Sequence, residues 1–94
     1  MKAARWHAAR DIRVEDVPEP KPGPGEVKVK VAWTGICGSD LHEYLAGPIF
    51  VPVGQDHPLS HDKAPITMGH EYCGMVTELG EGVSGFAIGD RVAI

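Results

Sequence analysis

The sequence predicts a mostly β domain, built as a partly open barrel or a sandwich. Three observations predict this class: one segment alternates strictly between apolar and charged residues, turn-forming residues are frequent, and only one short segment has helical spacing. The chain has 94 residues, of which 12 are Gly and 8 are Pro, and both residues favour turns over helices. A chain of this length forms at most one domain.

The strand prediction is clearest in "EVKVKVAWTG". Its three valines share one face and its two lysines share the other, which is the period of a half-buried strand. Four further segments are predicted strands, the first two joined by a turn and the last two by a Gly-rich turn: "MKAARWH", "DIRVEDV", "EYCGMVTELG" and "FAIGDRVAI".

One helix is predicted, over "SDLHEYLAG". Ser39 is the expected N-cap, and Gly47 followed by Pro48 is expected to end the helix after barely two turns. The apolar stripe expected to face the core consists of Leu41, Tyr44 and Leu45.

Two segments are predicted to lack regular structure. The prolines of "PEPKPGPG", residues 18–25, predict an extended connector, because each fixes its own backbone and biases the residue before it. Residues 48–68 are rich in Pro and His without a sustained period. They are predicted to form a long loop, and loops of more than about 12–15 residues are often functional.

The composition excludes several classes of function. Hydrophobic residues make up 43% of the chain and charged residues 23%, which argues against disorder. The net charge of −4 offers no basic surface for nucleic acid and no attraction to an anionic membrane. The amino terminus lacks the apolar run of a secretory signal, and no segment approaches the roughly 20 apolar residues of a membrane helix. We therefore expect a cytoplasmic protein with reduced cysteines.

The segment "GEGVSG", residues 80–85, matches the glycine pattern of a dinucleotide-binding loop. Such a loop requires a strand before it and a helix after it, so that the helix amino end faces the pyrophosphate. The residues that follow are strand-like, so we interpret this segment as a turn and expect no nicotinamide site in the chain.

A metal site is the chemistry that the residue types suggest most directly. Cys37 offers a thiolate and lies between Gly35 and Gly38, where small neighbours let an ion come close to the backbone. His70 offers an imidazole and Glu71 a carboxylate. Adjacent strand residues point to opposite faces, so these two would share an ion only where the backbone is irregular. A catalytic zinc needs about three protein ligands and an open position, and Glu71 is the candidate third.

The residue types also allow simpler interpretations. A cysteine is often a small apolar core residue and a histidine is often a hydrogen-bonded group, so at this point the metal site stays a hypothesis. We expect core packing for Cys73, solvation for His57 and His61, and no identified partner for His7.

Three motifs in order, "GICGSDLHEY", "GHEYCGMVTELGEGV" and "GDRV", resemble those of the zinc-dependent medium-chain alcohol dehydrogenases. The resemblance runs along the whole chain. Within that family, "HEYLAGPIFVPVGQDHPL" is most similar to 2,3-butanediol dehydrogenases, and sorbitol-type polyol dehydrogenases are the neighbouring match. The resemblance implies the amino-terminal part of a GroES-like catalytic domain, spanning residues 1–94.

The resemblance also implies roles for six residues. Cys37 and His70 match ligands of a catalytic zinc, and Glu71 matches an acidic residue beside the metal. Ser39 matches the hydroxyl that contacts the substrate oxygen, and His42 matches an imidazole that relays its proton to solvent. The sixth, Asp40, matches a carboxylate that orients a metal-bound imidazole.

The same resemblance implies what lies elsewhere. We expect the native chain to continue past Ile94, where the sequence stops in an apolar strand, and we expect the Rossmann domain and the NAD site outside these residues. The parent is then expected to be a homo-oligomer that interconverts a small alcohol, such as 2,3-butanediol, and its ketone, acetoin. The 94 residues alone are expected to be inactive.

Two other functions stay open at this point. One is a sorbitol-type polyol or related alcohol dehydrogenase, which acetoin and fructose would separate from the first in assays of the parent. The other is a non-catalytic GroES-like β module, for which loss of Cys37 would leave activity unchanged.

Overall fold

The computed structural model describes residues 1–94. It contains six β-strands and one α-helix. In chain order these are β1 (Lys2–Ala8), β2 (Asp11–Asp16), β3 (Val27–Gly35), α1 (Gly38–Ala46), β4 (Ile66–Thr67), β5 (Glu71–Leu79) and β6 (Arg91–Ala93). The strands form two antiparallel three-stranded sheets, so the predicted mostly β class is confirmed.

The chain forms two compact units, and the first comprises Met1–Pro18 and Ile36–Gly69. Its sheet has the order β2-β1-β4. Ala3 and Trp6, on β1, are the buried apolar residues of this unit. The indole Nε1 of Trp6 donates to the backbone oxygen of Glu43 at 3.0 Å, which joins α1 to the buried face of β1.

The second unit comprises Glu19–Gly35 and His70–Ile94. Its sheet has the order β3-β5-β6, and Val76 on β5 is its fully buried residue. Gly74 lies where β3 and β5 approach closely, because a Cβ at this position would come within 2.1 Å of the backbone oxygen of Lys30. The β3–β5 pairing is irregular between Lys28 and Val29 and again between Val31 and Trp33.

Most predicted elements are present, and four details differ. The helix is N-capped by Cys37, so the prediction of Ser39 as the cap is wrong. The predicted apolar stripe is also wrong in part: Leu41 and Leu45 are 52% and 43% exposed, and the buried helical residue is Glu43.

The other two differences concern strands. Residues 66–67, which fall in the predicted loop, form β4 by pairing with β1. In the last predicted strand only Arg91–Ala93 pair with β5; residues 88–89 form a turn. The glycine-rich segment at residues 80–85 is a turn as predicted. The single helix has nine residues and is too short to cross a membrane.

Candidate metal centre

Cys37 lies two residues beyond the end of β3 and begins α1 as its N-cap. Its backbone is extended, with φ −87° and ψ 155°, and it is half-buried. Its backbone N–H donates to Oδ2 of Asp40 at 3.0 Å, which satisfies a donor that the helix itself leaves free. Asp40 therefore holds the backbone at the cysteine. Cys37 and Cys73 are not joined by a disulfide.

His70 and Glu71 lie at the start of β5. Glu71 is its first residue and pairs with Gly35 at the end of β3, and the hydroxyl of Thr34 donates to the Glu71 backbone oxygen at 3.2 Å. His70 precedes the strand and follows Gly69, which has φ 110°. The alternation of strand side chains does not extend to His70, so the irregular backbone that shared ligation requires is present.

The candidate ligand atoms of Cys37, His70 and Glu71 all lie within 4.8 Å of one another. The local chain path accounts for this, since Gly35 lies opposite Glu71 and Cys37 follows two residues later. His70 and Glu71 are exposed. A thiolate, an imidazole and a carboxylate are a donor set that zinc accepts, with room for a fourth ligand. These residues therefore fit the metal that the motifs imply.

Ser39 and His42 are both on α1, Ser39 half-buried in the first turn and His42 exposed. Residues three apart on a helix are neighbours on its surface. The Ser39 hydroxyl is thus half-buried and the neighbouring His42 imidazole is exposed, which is the arrangement that a proton path to solvent would require. Their roles, and that of Asp40 toward His70, remain predictions.

Sequence reasoning missed Glu43, whose side chain is 2% exposed. Its carboxylate accepts hydrogen bonds from the backbone N–H groups of Ile49, Phe50 and Val51 at 2.9, 2.9 and 3.1 Å. Burial alone would raise the pKa of Glu43, but these three donors outweigh it and the pKa lies below its ordinary value. No sequence pattern indicated this contact, because the partners are backbone groups of an irregular segment.

Two histidines also have partners that the sequence did not indicate. His7 on β1 contacts the carboxylate of Glu15 on β2. His57 is half-buried, and its Nδ1 accepts from the backbone N–H groups of Leu59 and Ser60 at 3.1 and 3.2 Å. The predicted solvation of His57 is therefore only partly confirmed. Its hydrogen bonds order the loop around it.

Comparison with known proteins decides the family. Residues 23–94 match the model of the alcohol dehydrogenase GroES-like domain. The chain belongs to this family. The predicted GroES-like fold is thereby confirmed, and so is the resemblance to alcohol dehydrogenases that the three motifs carry.

The curated relatives of this GroES-like domain include two dehydrogenases. The (R,R)-butanediol dehydrogenase of Bacillus subtilis is 63% identical over 94 residues, which is all of this chain and 27% of the relative. The sorbitol dehydrogenase of Halalkalibacterium halodurans is 45% identical over 86 residues, 92% of this chain and 22% of the relative. The chain thus spans about a quarter of the length of these relatives.

Solved structures agree with this placement of the GroES-like domain. The crystal structure of 2R,3R-butanediol dehydrogenase from Bacillus subtilis superimposes with a TM-score of 0.94 at 62% identity, covering 99% of this chain and 27% of that one. A proposed zinc-binding dehydrogenase from Sinorhizobium meliloti, bound to NADP, superimposes with a TM-score of 0.74 at 39% identity, covering 96% of this chain and 23% of that one.

Proposed function

We propose that this GroES-like domain holds the catalytic zinc of an NAD-dependent dehydrogenase that interconverts (R,R)-2,3-butanediol and acetoin. The observation that carries the proposal is the grouping of Cys37, His70 and Glu71, whose ligand atoms lie within 4.8 Å of one another. The 63% identity to a butanediol dehydrogenase over the whole chain supports the substrate. The nicotinamide cofactor binds outside these residues in this proposal.

Cys37, His70 and Glu71 would hold the metal. When bound, a zinc ion would act as a Lewis acid toward the substrate hydroxyl oxygen. The helix cap holds the Cys37 backbone, because the Asp40 carboxylate accepts from its N–H at 3.0 Å. The β3 pairing holds the Glu71 backbone. Both contacts restrain the backbone of a proposed ligand residue, which would lower the cost of ordering that residue on metal binding.

Ser39 and His42 would move the proton that alcohol oxidation releases. The Ser39 hydroxyl is half-buried and can accept that proton while donating its own onward. His42 is exposed, and an imidazole ring can accept a proton at one nitrogen and donate one from the other, so it can pass a proton to bulk water. The proton would thus pass from the half-buried Ser39 to the exposed His42 and then to solvent.

The first prediction concerns Ser39. In the full-length gene product, Ser39→Ala should lower kcat for (R,R)-2,3-butanediol oxidation with NAD by about 10²–10⁴-fold, since a positioned proton-transfer group contributes that much. Steady-state kinetics on purified enzyme measure it. Ser60→Ala, in an exposed loop position, is the matched control and should leave kcat unchanged. Equal kcat values for the two variants would contradict the proton path.

A sorbitol-type activity is the second candidate, because a sorbitol dehydrogenase is 45% identical over 92% of the chain. Assays of the same gene product with acetoin and with fructose separate the two. We expect the higher kcat/KM with acetoin. A higher kcat/KM with fructose would replace the butanediol assignment, and no reduction of either ketone would contradict both candidates.

A further inference from the structure

Helix α1 makes little apolar contact in its own unit. Its apolar side chains Leu41 and Leu45 are 52% and 43% exposed, and Glu43 is its buried side chain. Helices in proteins are held mainly by packing of an apolar face, and this helix has no such buried face. Hydrogen bonds therefore hold it in the unit: that of the Arg10 N–H to the Tyr44 backbone oxygen, and those of Glu43.

Those contacts form a network around one residue. The Glu43 carboxylate accepts from three successive backbone N–H groups, those of Ile49, Phe50 and Val51. The Glu43 backbone oxygen accepts from the Trp6 indole at 3.0 Å and from the Gly47 N–H at 2.9 Å. One residue thus joins the helix to β1 and to the segment that follows it.

No cation neutralises this buried carboxylate, since none of the ion pairs in the structure includes Glu43. A buried charge is costly unless hydrogen bonds compensate for it. Here three N–H donors do so, and hydrogen bonds to a charged acceptor are stronger than neutral ones. These bonds tie the backbone of residues 49–51 to the helix through a single side chain.

The residues of the proposed proton path lie close to Glu43 on the same helix. His42 is its neighbour in sequence, and Ser39 lies one helical turn before it. We propose that Glu43 is a positioning residue, whose buried carboxylate fixes α1 so that the Ser39 hydroxyl and the His42 imidazole stay aligned for proton transfer. This inference rests on the proposed function. Glu43 itself touches neither substrate nor metal in this account.

Glu43→Gln tests the inference with almost no change of volume. The amide keeps one acceptor oxygen but turns an NH₂ donor toward backbone N–H donors, so at least one of the three bonds is lost. Two readouts are measured on the full-length gene product: hydrogen exchange of the amides of residues 49–51, and kcat and KM for (R,R)-2,3-butanediol. We expect faster exchange, a kcat lower by about 10–100-fold and a KM within about threefold of wild type.

Asp90→Asn is the matched control. The Asp90 carboxylate also accepts from a loop backbone N–H, that of Ala87 at 2.9 Å, but it lies in the other unit. The control should leave kcat and the exchange at residues 49–51 unchanged. Should Glu43→Gln fold poorly, Trp6→Phe removes the indole donor to the Glu43 backbone oxygen together with part of a buried ring, and a smaller loss of kcat in the same direction is expected.

The outcomes separate this inference from the proposed function. Unchanged exchange at residues 49–51 in Glu43→Gln would overturn the anchor. Faster exchange with unchanged kcat would show that Glu43 stabilises the segment without positioning the proton path, which also overturns the inference. A wild-type gene product that oxidises no diol would overturn the proposed function, and the positioning role would fall with it.

Discussion

The charge state of Glu43 links a single residue to the stability of its unit. Its pKa is lowered in the fold from 4.5, so the ionised carboxylate stabilises the native state above that value and the stabilisation is lost as pH falls through the lowered pKa. At neutral pH, Glu43→Gln should cost about 2 kcal/mol, the range for hydrogen bonds to a charged group. Thermal unfolding of the full-length gene product at several pH values measures it.

The comparison with Glu43→Gln isolates this one titration, because every other carboxylate is common to both proteins. The difference in melting temperature between the wild type and Glu43→Gln should be largest near neutral pH. It should decrease below pH 4.5, the ordinary pKa of the glutamate carboxyl. A difference that stays constant into the acid range would contradict the assignment of the stabilisation to the ionised carboxylate.

At the level of single residues, the sequence predicted the candidate metal ligands but not the buried carboxylate of Glu43. Cys37, His70 and Glu71 could be selected because thiolate, imidazole and carboxylate have metal chemistry of their own. Glu43 could not, because a carboxylate in a short helix is normally a solvent-facing residue. Its partners are backbone N–H groups beyond a proline, and backbone groups leave no trace in the residue pattern.

Among the elements, the turn after β5 shows how a glycine pattern can arise from packing alone. A Cβ at Gly80 would lie 1.9 Å from the backbone oxygen of Gly23 and 2.8 Å from that of Glu26. Backbone atoms cannot turn aside as a flexible side chain can. This close approach accounts for one glycine of the segment that resembles a dinucleotide-binding loop.

Gly80→Ala should therefore destabilise the fold by about 1–3 kcal/mol, the usual cost of forcing extra atoms into a packed site. Gly38→Ala is the control, because nothing lies within 4 Å of a Cβ there and Ala favours a helix. Urea unfolding of the two variants and the wild type measures the difference. An equal midpoint for Gly80→Ala and the wild type would contradict the close approach.

Elements with a regular alternation of apolar and polar residues could be predicted from the sequence. Elements that depend on contacts with distant residues could not. The alternating valines predicted β3, which runs over Val27–Gly35. By contrast, β4 has two residues and exists through its pairing with β1. The helix cap shifted from Ser39 to Cys37 because the Asp40 carboxylate bonds to the cysteine N–H, which caps the helix two residues earlier.

At the scale of the whole molecule, the candidate metal centre consists of residues that are distant in sequence. Cys37 follows β3, and His70 and Glu71 begin β5. The motif order allowed this grouping to be predicted, since three linked motifs constrain the fold more than any one does. The chain spans 27% of a butanediol dehydrogenase relative, so the domain is tested best within the full-length gene product.

The zinc content of three purified full-length proteins tests the central claim most directly. Metal analysis should show one equivalent less zinc per chain in Cys37→Ser than in the wild type, because a hydroxyl replaces a thiolate ligand. Cys73→Ser changes the other cysteine, half-buried on β5, and should retain the wild-type content. Equal zinc in the wild type and Cys37→Ser would contradict the metal centre.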